Sequence, residues 1–436
     1  MRRKQYILFI FSLLFLNSVA QEKLSLDLEA ARDYALNYNK TIKNSGLSVE
    51  QSQERLKETI AAGLPQVNAT TDYSNAMGAE ISIQFDESLP PSKIPIKPTS
   101  NFNLQVGQLI FNGSYIVGIQ TAKLYQKLSE KSLVKTEQDI ASQVVESYYL
   151  VLVSEESLKI LNANLENLQT VYKKTAPMVS VGMMEKVELD QLSVQVNSLK
   201  NAVKSAERQY EMAQNLLRLQ LGVSAETELE LTENLSEILE KTDTGSSVSG
   251  SFDVVQNIDY QLLNVQEAMT AKQVDLQKAA YLPTISGYYS YTYKILKPAF
   301  DMSPPHVLGL QMNIPVFSSG ERRSKVKQAK IDLETTKNNK ALLEDQLSIQ
   351  YKQLSFNLIS ALESFENQKD NVKVSREVYK SLKSKFEQGV ISSLELTTAD
   401  NNYLKAESDY LTAMLEVLKA QNDLETLTGV VNSKKQ

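Results

Sequence analysis

The chain is written twice, and that duplication constrains its fold more than any other feature. Leu64-Pro65-Gln66-Val67, with Tyr73 beyond it, recurs 218 residues later as Leu282-Pro283-Thr284-Ile285, with Tyr288 beyond. Phe111-Asn112-Gly113 returns as Phe317-Ser318-Ser319-Gly320. From Gly113 and Gly320 onward the offset is a constant 207, so that Gly182 answers Gly389 and Leu221-Gly222 answers Thr428-Gly429. One structural unit is therefore built twice, over residues 21–222 and 253–429, with 223–252 between the copies and a tail at 430–436.

Each copy opens with a helical stretch, Leu26 to Gly63 and Asp253 to Tyr281, that ends at the corner made by Pro65 or Pro283. Proline cannot continue a helix and pushes the residue before it toward extended geometry. Strand pairs follow at about 66–112 and 284–317. In the second, Ile285, Tyr289, Tyr291 and Tyr293 share a face opposite Thr284, Ser286, Ser290 and Thr292, with Tyr288 as the exception. Leu308, Leu310, Met312, Ile314 and Val316 alternate with Gly309, Gln311 and Asn313, and Phe102, Leu104 and Val106 hold the same parity in the first copy. Strands of about ten residues suit a tilted membrane barrel, in which the three tyrosines would join an interfacial girdle. The first hairpin is longer by about a dozen residues, and its Pro90 to Pro98 segment reads as a stiff, polyproline-like extracellular loop.

Behind Gly113 and Gly320 run the longest elements, roughly 68 residues each to Gly182 and Gly389, with no proline except Pro177. At 1.5 Å per residue each is a helix of about 100 Å. Leu158, Leu161, Leu165, Leu168 and Tyr172, and again Leu354, Leu358, Ala361 and Phe365, fall at heptad-like steps. The returning helices carry Leu192, Val196, Leu199, Val203, Ala206, Tyr210, Ala213 and Leu217, then Ala399, Tyr403, Ala406, Tyr410, Ala413, Val417, Ala420 and Leu424, an unbroken register of 4,3,4,3 that means coiled-coil packing. A returning helix of about 38 residues plus an opening helix of 30 to 38 sums to about one long helix, so two short helices stacked end to end would run beside one long one. The acidic, then Gly/Ser-rich stretch from Ser224 to Ser251 reads as a linker with a small belt around the helices.

Arg2, Arg3 and Lys4 precede the apolar run Tyr6 to Leu16, and Ser18-Val19-Ala20 offers a cleavage site, so residues 1–20 read as a secretory signal peptide. The run is too short to span a bilayer, and no later stretch is long and apolar enough to be a transmembrane helix. With 46 basic against 52 acidic residues the chain is mildly acidic, which argues against nucleic-acid binding. It has no cysteine, so disulfides, thiolate chemistry and a lipid-bearing cysteine are excluded. His306 is the only histidine, expected in a hairpin loop beside Pro304-Pro305, and no metal site or cofactor is expected. No nucleophile motif, phosphate loop or acid/base constellation is present, so no enzyme activity is expected.

Four strands cannot close a membrane barrel without unpaired edges. Two copies would give eight strands and a filled interior, whereas three would give twelve and a lumen. A homotrimer is the smallest conducting solution. The competing reading is a periplasmic coiled-coil scaffold or adaptor that never enters the membrane, which accounts for the helices and leaves four amphipathic strands beside Leu-Pro corners without a purpose.

The two Leu-Pro corners, Asn313-Ile314-Pro315-Val316-Phe317-Ser318-Ser319-Gly320 with Glu321-Arg322-Arg323, Phe386-Glu387-Gln388-Gly389 and the closing Leu427-Thr428-Gly429 resemble the TolC family of outer-membrane efflux proteins, in order and in duplicate. The resemblance spans essentially all of the chain after the leader. It implies a mostly helical protein with a membrane β-barrel, in which a homotrimer forms a 12-stranded barrel embedded in outer-membrane lipid and continued by a 12-helix periplasmic tunnel. Such a duct is a passive conduit that works with a periplasmic adaptor and an inner-membrane pump of the RND or ABC type. It further implies that Val181-Gly182-Met183 and Gln388-Gly389-Val390 are the helical-hairpin tips that meet the adaptor. Glu188 and Glu395, six residues past each tip glycine, would be gate carboxylates. Efflux members often carry a second Asp nine residues past the second glycine; here the residue is Thr398, which argues against a gate with two acidic rings.

Overall fold

The computed structural model describes residues 23–84, 90–241, 252–297 and 303–429. The leader, Thr244-Gly245-Ser246-Ser247 and the tail lie outside the described residues. In chain order the elements are β1 (Lys23–Leu26), α1 (Leu28–Tyr38), α2 (Lys40–Ala61), β2 (Gln66–Ser74), β3 (Glu80–Ile83), β4 (Ser92–Pro95), β5 (Thr99–Asn112), α3 (Gly113–Ser180), α4 (Lys186–Leu221), β6 (Glu228–Leu231), α5 (Leu235–Lys241), a short 3-10 turn (Val254–Gln256), α6 (Ile258–Ala279), β7 (Thr284–Leu296), β8 (His306–Asn313), α7 (Glu321–Glu387) and α8 (Ser393–Thr428). The chain forms two units. One contains Met1–Ile42, Gln138–Gly250 and Gln353–Thr426; the other contains Lys43–Glu137, Ser251–Lys352 and Leu427–Gln436.

The first unit is a coiled-coil assembly. Helices α4 and α8 begin 207 residues apart, at Lys186 and Ser393, and end 207 apart, at Leu221 and Thr428. Leu192, Val196, Leu199, Val203, Ala206, Ala213 and Leu217 are buried on α4, and Ala399, Ala406, Ala413, Val417, Ala420 and Leu424 are buried at the same steps on α8. On α7 the buried stripe is Leu358, Ala361, Phe365, Val372, Tyr379 and Phe386, the 3/4 alternation that keeps one seam turned toward neighbouring helices. The segment read as a linker supplies secondary structure of its own: β6 pairs in parallel with β1, and α5 buries Leu235 and Ile238. The fully buried Tyr148 of α3 donates its hydroxyl to the carbonyl of Leu26, which ties β1 to the bundle.

The helix expected to run unbroken from Leu26 to Gly63 is two helices. Asn39 adopts extended geometry (φ −61, ψ 131), closing α1 and opening α2. Its Oδ1 accepts from the N–H of Thr41 at 2.7 Å, the N-cap arrangement, so a side chain that competes with the helix backbone also starts the next helix. Gly222, with φ +77 at the end of α4, lies so close to this junction that an added Cβ would sit 2.8 Å from the carbonyl oxygen of Tyr38.

The second unit contains an antiparallel sheet in the order β2-β5-β7-β8. Val67, Val106, Tyr289 and Leu308 stand side by side across it, as do Ala69, Leu104, Tyr291 and His306. Because the side-chain period is two, this register sorts the sheet into one face carrying Tyr73, Phe102, Tyr293, Leu310 and Met312 and another carrying Asp72, Asn101, Asn103, Thr292 and Gln311. The polar face is knit together, with Asn101 and Asn103 both donating to Asp72 and Thr292 donating to Asn103. The apolar face is bare in the single chain: Leu308 is 84% and Leu310 78% exposed.

Three strand expectations need correction. The second hairpin does not extend to 317, since β8 ends at Asn313 and leaves Val316 and Phe317 exposed. The counterpart Phe111 is held in β5 by pairing with Ile285, whereas β8 is an edge with no strand on its outer side among the described residues. The Pro90 to Pro98 stretch is not wholly polyproline-like, because β3 and β4 form an antiparallel ribbon that aligns Glu80 with Pro95. His306 is the first residue of β8 and not a loop residue; it stacks on Tyr291 and its Nδ1 lies 2.7 Å from the hydroxyl of Tyr289.

The corner glycines also differ in kind. Gly320 has φ +86 and precedes α7, whereas Gly113 is the first residue of α3 and leaves room for Leu282, whose Cδ1 would be 2.7 Å from an added Cβ. Pro65 and Pro283 stand immediately before β2 and β7. At the first corner Gly63 lies under the ring of Tyr115, whose hydroxyl donates to the carbonyl of Ile60.

Candidate functional site

The two helical-hairpin tips of the first unit concentrate exposed apolar groups and polar cross-links. Each tip is a Schellman turn. Met183 N–H reaches the carbonyl of Met178 and Gly182 N–H that of Val179; Val390 reaches Lys385 and Gly389 reaches Phe386. Gly182 (φ +78) and Gly389 (φ +74) supply the left-handed geometry that such a turn requires. In a Schellman turn the residue after the glycine usually packs back on the helix, but Met183 is 72% and Val390 68% exposed, and Val181 is exposed beside them. Gln388 precedes the second glycine on the exposed side of the turn.

Glu188 and Glu395 occupy equivalent positions with different surroundings. The Glu188 carboxylate accepts from the backbone N–H of Ser393, the first residue of α8, while the Ser393 hydroxyl donates to Gln191 at 2.6 Å. A carboxylate there satisfies an otherwise unserved helix N–H and meets the positive end of the helix dipole. Glu188 thus ties one hairpin to the other. Glu395 instead borders an open groove of about 510 Å³ lined by Val374, Val378, Leu382, Thr398 and Asn402. The Thr398 hydroxyl is already engaged, donating to the carbonyl of Leu394 in its own helix.

A buried acid nearby escaped the sequence reading. Asp400 is wholly inaccessible; its Oδ2 accepts from Asn164 of α3 at 3.2 Å, and burial pushes its carboxyl up to about 6. The hydroxyl of Tyr379 on α7 is buried with it and, like Asn164, partly offsets that rise. The available signal was an acid one step from the seam position Ala399. Nearer the rim, Lys174 pairs with Glu387 at 3.0 Å and Gln195 donates to Asn401 at 2.7 Å. Among the described residues no group of three or more histidine or acidic side chains is placed to hold a metal, and no helix is long and apolar enough to cross a membrane.

This architecture has relatives. The family described as outer membrane efflux protein matches residues 31–223 and 254–430, leaving out the segment between the copies. The chain is 22% identical to the probable outer membrane lipoprotein SilC of Salmonella typhimurium over 86% of this chain and 80% of that protein. It is 18% identical to the outer membrane protein TolC of Vibrio cholerae over 89% of this chain and 90% of that one. The outer membrane channel CmeC of Campylobacter jejuni shares the fold with a TM-score of 0.72 at 17% identity, covering 92% of this chain and 85% of its own. The chain belongs to the outer membrane efflux protein family, as a TolC-like protein of the outer membrane whose long helices extend into the periplasm.

Proposed function

We propose that three copies join their four-stranded sheets into a twelve-stranded barrel and form a passive exit duct, loaded by an inner-membrane pump through a periplasmic adaptor. The observation that carries this reading is the sheet itself. One face is apolar and bare, the other is polar and cross-linked, and β2 and β8 have unpaired outer edges among the described residues. Lipid suits the first face, water the second, and edge strands of identical copies suit each other. A soluble scaffold would leave that apolar face in water. In this reading α3 and α7 carry the duct across the periplasm; Val181, Gly182, Met183, Gln388, Gly389 and Val390 meet the adaptor, and Glu188, Glu395 and Thr398 stand at the gate. The duct performs no chemistry, and the pump provides the energy and chooses the cargo.

Purification from outer membranes, native mass spectrometry in detergent and recording in planar bilayers test this directly. Trimers that give discrete conductance steps are expected. Recovery of the protein as a soluble periplasmic monomer would overturn the reading.

A further inference from the structure

Tyr288 stands apart from the other tyrosines of the four-stranded sheet. Tyr73, Tyr289, Tyr291 and Tyr293 belong to the apolar face, whereas Tyr288 shares a row with Gln66, Gly107 and Gly309 and is the one aromatic ring on the polar face among the described residues. Its neighbours there are small. Gly107 and Gly309 flank it on the strands to either side, and Ser286 and Ser290 precede and follow it on its own strand. The ring lies down over Gly309, where an added Cβ would be 2.5 Å from its Cζ and 2.7 Å from its Cε1. On the other side the floor is open, since a Cβ added to Gly107 would meet nothing within 4 Å.

Neither glycine serves its own backbone. Both lie outside the left-handed region, and the pairing runs in regular register through both, its irregularities falling between Ser100 and Asn101 and between Leu109 and Phe111. A glycine inside a strand weakens it, and where no bulge or bend calls for one it marks the close approach of another group. At Gly309 that group is the Tyr288 ring. At Gly107 the chain supplies none, so the space is kept for something that is not part of it.

We propose that Tyr288 and the bare backbone at Gly107 form a ledge in the lumen wall on which a planar aromatic solute stacks in transit. The proposal rests on the reading of the polar face as the lumen. Shape selects the ligand class: a ring lying down beside an uncovered stretch of peptide is a flat surface, on which flat ring systems gain the most contact. Charge narrows it. The ring face is the negative part of an aromatic quadrupole, and the bordering side chains of Gln66, Gln105 and Gln311 carry no charge to compete with it, so an aromatic cation is held best. A homotrimer sets three such ledges at one height. The pump still decides what enters the duct, and the ledge acts on what is already inside.

Planar-bilayer recordings with proflavine, a flat tricyclic cation, and tetrapropylammonium, a cation without a ring, test this on the full-length protein. Proflavine is expected to reduce the current at concentrations at which tetrapropylammonium does not. Tyr288→Ser removes the ring, and Gly107→Thr fills the open floor with a residue that strands favour, so both should assemble and both should weaken proflavine block about fivefold. Wild-type block in both variants would overturn the ledge and leave the duct standing, as would equal block by the two cations. If the wild-type protein gives no channels, the polar face is not a lumen and ledge and duct fall together.

Discussion

Asn39 donates its side-chain amide to the carbonyl of Gln220 at 2.7 Å while its Oδ1 caps α2, so one residue joins the end of α4 to the start of α2. In the other unit Asn257 does the same, capping α6 through Asp259 and donating to the carbonyl of Leu427 at 3.0 Å. The two asparagines are 218 apart and their acceptors 207 apart, the two offsets of the duplication. At each junction a single amide serves a free N–H on one side and a free C=O on the other.

Asn39→Asp separates the two roles. Aspartate caps a helix as well as asparagine, but it cannot donate, and it brings a negative charge to the negative end of α4. We expect a loss of about 1–3 kcal/mol, seen as faster hydrogen exchange in the last turn of α4 with the first turn of α2 still protected. Asn39→Ala should expose both turns. Wild-type exchange in the last turn of α4 in both variants would show that the amide bridge contributes nothing.

The buried Asp400 predicts a pH dependence with a definite sign. Its folded pKa of about 6 lies above the roughly 4 of an unfolded aspartate, so the folded chain holds this proton more tightly. Its effect is therefore a loss of stability as pH rises from about 4 to about 6, amounting to roughly 3 kcal/mol above that range. Asp400→Asn should abolish this slope and slow exchange along the N-terminal half of α8 at neutral pH. An unchanged slope would mean that the carboxyl does not titrate in this window.

How much was legible in the sequence follows the strength of the local signals. Heptad steps such as Leu192, Val196 and Leu199 repeat over about seven turns, and these three are buried where expected. The break at Asn39 rested on one polar residue inside a helical stretch, and extending the 218 offset from Pro65 back to Asn39 and Asn257 would have exposed it. The end of β8 depends on an absent neighbouring strand, which no periodicity in Ile314 to Phe317 encodes. Glu188 and Glu395 look identical in sequence. Only the path of the chain decides that the first meets Ser393 and the second an open groove.

The two faces of the sheet give a pair of opposite expectations. Leu310→Arg puts a charge on the apolar face and should cost about 2–4 kcal/mol near the middle of a bilayer, lowering the yield of assembled protein. Gln311→Arg, one residue on and facing the polar side, should assemble normally and shift ion selectivity toward anions in bilayer recordings. Similar losses of assembly in both variants would contradict the assignment of faces.

The exposed tips test the adaptor. Met183 and Val390 occupy positions whose side chains normally fold back onto the helix, yet both stand in solvent, as does Val181. Their glycines fix the turn through backbone bonds that the side chains do not share, so Val181→Asp, Met183→Asp and Val390→Asp together leave the turn geometry intact. Desolvating three carboxylates at an apolar contact costs far more than a typical adaptor interface can offset. The triple variant should therefore still form trimers with unchanged unitary conductance while failing to restore efflux in cells lacking the native protein, and adaptor co-purification should fall at least tenfold. Retained co-purification would place the adaptor contact elsewhere on the helices.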